Sequence, residues 1–193
     1  MSLIKPFSGI RPKKKFAKQV TSPNVSYIDN YKPNKKLNFL NLLNTSKINK
    51  SKKILKSLKD KGIIQQDTSN HFYLYRITYN KKKLLGIVGK INLDNYDDKK
   101  ILGHEETFVE RIKKRKEQLL KFNSQISPIY TTYKSTPNLL KKLKNIFRFK
   151  SDYNFKSKDK CRHELWVVNK LNKVRLLKNY LKNIRKIYIC DGH

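Results

Sequence analysis

Acid is what this sequence lacks most. Only 14 Asp and Glu stand against 46 Lys and Arg, which leaves a formal charge of +32 on 193 residues. Such a balance favours anionic partners, nucleic acid or an anionic membrane among them. The lysines are spread through nearly every segment, however, and no single basic arm stands out. Solvated faces drifted toward Lys and Asn would give the same total without any polyanion partner. Cysteine is scarce too: Cys161 and Cys190 are too few and too far apart for a disulfide framework or a zinc knuckle. No apolar run approaches the ~20 residues that cross a bilayer. The opening MSLIKPFSGIRPKKKF lacks the apolar centre of a signal peptide. A basic arm and a glycine-aromatic RNA motif are both missing. These absences lead us to expect a soluble, reduced, cytoplasmic protein that uses no membrane.

What is present suffices for one folded unit. A chain of this length buries roughly 70% of its unfolded surface, so no staple is required. Residues 5–36 are punctuated by Pro6, Gly9, Pro12, Pro23 and Pro33, with room for a short helix near Lys14–Val20. LNFLNLL (37–43) reads as a strand. Thr45 or Ser46 then caps a helix carrying Ile48, Leu55 and Leu58, which Gly62 ends. HFYLYRITY and KLLGIVGKINL flank Asn80-Lys81-Lys82 as a hairpin. An Asp-rich loop (94–98) precedes GHEETFVERIKKRKEQLLKF, a loop and then a helix. SPIYTTY is a strand. In STPNLLKKLKNIF, Thr136 caps a helix with Pro137 at its first position and Leu139, Leu143 and Ile146 on one stripe. HELWVV is a strand, KVRLLKNYLKNIR a helix, and IYIC a last buried strand. Strands and helices mix, so the class is α/β or α+β: a mixed sheet with helices.

Four stretches carry residues capable of chemistry. His104-Glu105 in GHEET is no zinc-protease signature, because Phe108 stands where a second His should be. The commoner role of such a pair is a helix cap. Arg115 shares a sector of roughly 60° with Phe108, Ile112 and Leu119, an unusual place for a guanidinium. It either stretches its stem to the surface or points into an anion site. In RHELW, strand alternation sends His163 and Glu164 to opposite faces, so one of the two shares a face with apolar neighbours. Last, IYIC runs into Asp191-Gly192-His193. Gly192 lets a backbone approach a ligand closely, the geometry of a phosphate site, although Asp-Gly is also a common turn.

In order, IKPFSGIRP, AKQVTSPN, NFLNL, FYLYR, GHEET with Arg115, SPIYTTY, HELW and YICDGH resemble the domain of unknown function 1015 family, over essentially the whole chain. Members of that family are longer and continue their last strand into Asp-Gly-His-His-Arg. The resemblance implies that residues 1–193 are one N-terminal portion of a longer mixed α/β protein, incomplete at the C-terminus. An apolar strand left uncovered there would favour self-association. Near Pro23 the chain departs from the family's Pro-Pro-Tyr-Asp run.

The pair of motifs is also similar to that of free serine kinases with the fold shared by ParB and sulfiredoxin, which carry Pro where this chain has Gly103. That similarity implies a phosphotransferase acting on serine or a similar hydroxyl compound, with a nucleotide or pyrophosphate as donor. Glu105 would be the base, with His104 beside it. Arg115, Thr107 and His163 would bind substrate. Asp191, Gly192 and His193 would bind phosphate, with Asp191 as a Mg²⁺ ligand. On that reading nucleic acid binds only non-specifically. The rival readings are a nucleic-acid-binding module driven by the +32 charge and an inactive structural remnant.

Overall fold

The computed structural model describes residues 2–21, 37–42, 48–103, 106–157 and 160–192. Strands among them are β1 (Ile4–Lys5), β2 (Ile10–Pro12), β3 (Ile64–Gln66), β4 (Phe72–Tyr79), β5 (Lys82–Val88), β6 (Lys90–Ile91), β7 (Ile101–Leu102), β8 (Tyr130–Thr132), β9 (Tyr153–Lys156), β10 (Arg162–Val168) and β11 (Ile187–Asp191). Helices are α1 (Ala17–Val20), α2 (Ile48–Asp60), α3 (Asp94–Asp97), α4 (Val109–Phe122), α5 (Pro137–Ile146) and α6 (Leu171–Leu181). The mixed α/β class expected from the pattern is the one observed. No helix among the described residues is long and apolar enough to cross a membrane.

The largest sheet is antiparallel, in the order β5-β4-β10-β9. Its hairpin turns on Asn80-Lys81, both at positive φ (44° and 65°), as a two-residue mirror-image turn requires. Tyr79 consequently faces Lys82, and the register runs back to Tyr73 opposite Val88. One face carries Phe72, Leu74, Trp166 and Val168, all buried. Helices α5 and α6 cover it with Leu139, Leu143, Val174, Leu177 and Leu181, the stripes that the helical period predicts. Thr136 caps α5 as expected, its Oγ1 accepting from the Leu139 N–H at 3.3 Å.

The same core holds Ile101 and Ile187, which belong to a second sheet in the order β7-β11-β8. A smaller core of Val20, Leu42, Leu58, Ile63 and Ile64 joins α1, α2 and β3.

Several expectations need correction. Residues 39–42 form a 3₁₀ turn instead of a strand, with Asn41 N–H bonded to Asn38 O at 3.1 Å. Asn38 is buried there beside Leu42, so the segment buries one end of each turn instead of alternate residues. The Asp-rich loop winds into the single turn α3. Strands β3 and β9 were not anticipated; IQQ and YNFK are too short and too polar to show a period. On α4, Gln118 and Phe122 are the buried residues, while Phe108, Ile112 and Leu119 are exposed. The apolar sector that includes Arg115 is therefore not the face α4 buries.

Candidate functional site

Strand β11 lies in the middle of its sheet, between β7 and β8. Ile187 is fully buried, and its N–H donates to Lys100 O at 2.9 Å. From there β11 runs parallel to β7, with Ile187 opposite Ile101 and Tyr188 opposite Leu102. Parallel strands run toward the same edge; β7 stops at Leu102, opposite Tyr188, while β11 continues to Asp191. Open α/β sheets place ligands at such carboxyl ends. On the other side β8 pairs antiparallel, and a register shift between Ile189 and Asp191 sets Asp191 opposite Tyr130.

Gly192 adopts φ +79°, in the left-handed region. A Cβ there would sit 3.3 Å from Pro128 O and 3.5 Å from Ile129 Cα. The glycine thus allows the chain to turn against the loop that enters β8. Its N–H donates to Asp191 Oδ1 at 2.7 Å, so the turn is closed by its own carboxylate. Both residues are exposed.

Arg115 is half-buried on α4 and reaches the same loop. Its Nη1 donates to Gln118 Oε1 at 2.6 Å and its Nη2 to Ser127 O at 3.3 Å. The guanidinium therefore ties α4 to the residue before Pro128, whose carbonyl packs on Gly192. Asn123, at φ +46°, ends α4 and lets the chain double back into that loop. Thr107 is half-buried just before α4. His104, Glu105 and His193 lie outside the described residues.

His163 is placed elsewhere. It belongs to β10, on the face opposite Trp166 and Val168 and so away from the core shared with Ile101 and Ile187. Its Nδ1 lies 2.5 Å from the Tyr75 hydroxyl and its Nε2 2.6 Å from Ser157 Oγ, with Tyr75 and Phe155 stacked on the ring. Both ring nitrogens are occupied by hydroxyls, as in a histidine that fastens a sheet face. The structure brings Arg115, Asp191 and Gly192 to one loop and leaves His163 out. Glu164, buried on the core face, is forked by Arg76 Nε and Nη2, each at 2.6 Å. The carboxylate raises the Arg76 guanidinium above its ordinary value, against the opposing effect of burial.

Sequence reasoning missed a polar network under the N-terminal segment. Asp67 is buried, gripped by Arg11 and by the Tyr73 hydroxyl at 2.6 Å. Tyr73 in turn accepts from the Gly9 N–H at 2.8 Å, and a Cβ at Gly9 would collide with that hydroxyl at 2.6 Å. Arg11 also donates to the Tyr153 hydroxyl, which donates to Pro12 O at 2.7 Å. Burial pushes the Asp67 carboxyl up, but the bonds from Arg11 and Tyr73 outweigh it and hold it below its ordinary value. The Tyr73 hydroxyl is pushed well up by burial and by its bond to that carboxylate. His71 Nδ1 lies 3.5 Å from Asp67 Oδ2, too poorly aligned for a hydrogen bond, and is buried with no other partner among the described residues. The signal was available: in an acid-poor chain, Asp67 is the lone carboxylate between Asp60 and Asp94, just past a strand.

Among the described residues no group of three or more His, Cys, Asp or Glu gathers as a metal cage. Asp191 is an exposed oxygen donor at the strand end, the ligand type that Mg²⁺ prefers. No curated protein and no solved structure matches this chain. Residues 4–193 match the family described as "Protein of unknown function (DUF1015)", and the chain belongs to that family.

Proposed function

We propose that the shared end of β7 and β11 is the catalytic edge of a small-molecule phosphotransferase, most like a free serine kinase with a ParB/sulfiredoxin-like fold. One observation carries this reading. The strands that lead into the two motifs, β7 and β11, are far apart in sequence yet pair in parallel, with Leu102 opposite Tyr188. Phosphoryl transfer needs little covalent help from a protein; positioning and charge neutralisation supply most of the acceleration. Glu105 orients the acceptor hydroxyl and takes its proton. Asp191 and the Gly192 backbone hold the phosphate side together with His193. Mg²⁺, held through Asp191, would neutralise charge on the donor phosphates. Arg115 keeps the Ser127–Pro128 backbone in place against Gly192, so it acts through that loop. Thr107 lies on the same connection as Glu105. His163, on the other sheet, has no part in this arrangement.

The test, made on the full-length protein that the family resemblance implies, is serine-dependent phosphate transfer from ATP, ADP or pyrophosphate in the presence of Mg²⁺. Glu105→Gln keeps shape and hydrogen bonding while removing the base. Turnover should fall by about 10²–10⁴-fold, the usual worth of general-base catalysis, with donor binding nearly unchanged. Equal rates for the two proteins, or no serine-dependent transfer from any of the three donors, would overturn the assignment.

A further inference from the structure

The scarcity of acid is not uniform along the chain. Residues 118–151 hold seven basic side chains and no acid, and residues 165–190 hold seven more and none. These two stretches contain α5 and α6, which pack side by side over the four-stranded sheet. Their apolar stripes are buried, so the basic positions are left on the outer surface.

That surface is grooved. One depression of about 330 Å³ is lined by Ser2, Arg175, Lys178, Asn179 and Lys182. A second, of about 130 Å³, runs between α5 and α6, with Lys134, Asn138, Lys142, Tyr180 and Asn183 along its wall. Asn179 borders both, so the two depressions adjoin on α6, and together they make up the α5–α6 track. On α6, Arg175, Lys178, Asn179 and Lys182 fall within about 100° of the circumference and span roughly 10 Å along the axis. None of the five basic side chains on the track is ion-paired with a described residue. Elsewhere Arg11, Arg76, Lys100 and Lys121 do find carboxylates. Lys142 Nζ instead lies 4.5 Å from the centre of the Tyr180 ring.

We propose that the α5–α6 track is a binding groove for single-stranded nucleic acid. Five uncompensated cations follow a path that suits a phosphate backbone. Three carboxamides, Asn138, Asn179 and Asn183, offer donors and acceptors to base edges. The half-buried Tyr180 offers a ring for stacking, already attractive to cations. A duplex is the poorer fit, because its bases are already stacked on one another and leave none for the Tyr180 ring. This inference is independent of the phosphotransferase reading.

The experiment measures anisotropy of a fluorescein-labelled oligothymidine across a salt series. Lys178→Glu with Lys182→Glu is compared with Lys52→Glu and Lys56→Glu, exposed on α2, which changes the net charge equally. The track pair should weaken binding about tenfold or more and flatten the salt slope by about 1.4, whereas the α2 pair changes affinity little. If the glutamates lower the melting temperature, the corresponding Gln pair makes the same comparison. Tyr180→Leu should weaken oligothymidine but not heparin, which has no bases to stack. Equal weakening by the two charge pairs would show a diffuse field and overturn the groove. So would a Tyr180→Leu effect that is the same for heparin, or tighter, track-dependent binding to phosphatidylserine vesicles than to the oligonucleotide.

Discussion

Arg11 and Asp67, 56 residues apart, meet as a fork. Arg11 Nη2 lies 2.7 Å from Asp67 Oδ1, and Nε lies 3.0 Å from each carboxylate oxygen. The pair pins β2 to the turn after β3 and lays the N-terminal segment across the sheet. Its carboxylate side chain is 4% exposed, so its charge is matched inside the protein and not by water. Arg11→Met should therefore cost about 3 kcal/mol, because a buried carboxylate is left without its cation.

The same pair sets an acid limit. Asp67 titrates below its ordinary value in the folded protein, so its stabilisation is complete above the unfolded carboxyl value of about 4 and is lost as pH falls through the folded value. The difference in melting temperature between wild type and Asp67→Asn should stay constant from neutral pH to about 4.5. It should shrink below that. A difference that persisted to strongly acid pH would mean that shape, not charge, holds the turn.

Tyr73 sets the opposite limit. Its folded value is raised, so its contribution is complete below the unfolded tyrosine value of about 10 and is lost as pH climbs beyond it. Tyr73→Phe removes the donor to Asp67 and the acceptor for the buried Gly9 N–H. The expected loss is about 1–3 kcal/mol at neutral pH, narrowing above about pH 10, read from denaturant melts of the two proteins.

Arg76 and Glu164 stand directly opposite each other across β4 and β10. Arg76 also covers the Trp166 ring at 5.0 Å. Glu164 is 7% exposed, and Arg76→Met strands it, at a cost of about 3–5 kcal/mol. Adding Glu164→Leu to that variant should recover most of the loss, because the unpaired charge goes too. A double variant as unstable as the single one would assign the effect to packing on Trp166.

Some of this architecture was legible from residue pattern. Helices α5 and α6 announce themselves through apolar stripes, and α5 through Thr136-Pro137 as well. The β4–β5 hairpin follows from two aromatic and branched runs around a short polar turn. What failed was short or non-local. Strands β3 and β9 gain their conformation from neighbours, not from their own three or four residues. Residues 37–43 carry enough Leu and Phe to mimic a strand, but bury Asn38 and Leu42 through a tight turn. On α4 the apolar count suggested one face, while Gln118 and Phe122 sit on the buried one. At the candidate site, Asp191-Gly192 was visible as a strand-end turn. The place of its strand between β7 and β8 depends on non-local pairings that no local pattern encodes. Asp67 stood out as an isolated acid, but its pairing with Arg11 and Tyr73 was hidden for the same reason: the three come from separate segments.

Gly192 offers the sharpest test of how the strand end is built. At φ +79° any residue with a Cβ is strained by roughly 1–2 kcal/mol. Alanine there would also press its Cβ on Pro128 O at 3.3 Å, a backbone atom that yields only if the loop moves. Arg115 holds that loop from behind at Ser127, so the strain has little room to dissipate. Gly192→Ala should consequently loosen the end of β11 and the β8 pairing opposite it, raising amide exchange at Tyr130–Thr132. The melting temperature should fall only slightly, since both residues of the Asp191-Gly192 turn are exposed. Serine-dependent transfer should drop with it, through weaker donor binding. Gly86→Ala is the control: a Cβ there meets nothing within 4 Å, and the substitution should alter neither exchange at β8 nor transfer. Unchanged β8 exchange in Gly192→Ala would show that the turn relaxes freely, and unchanged transfer would remove Gly192 from the phosphate side.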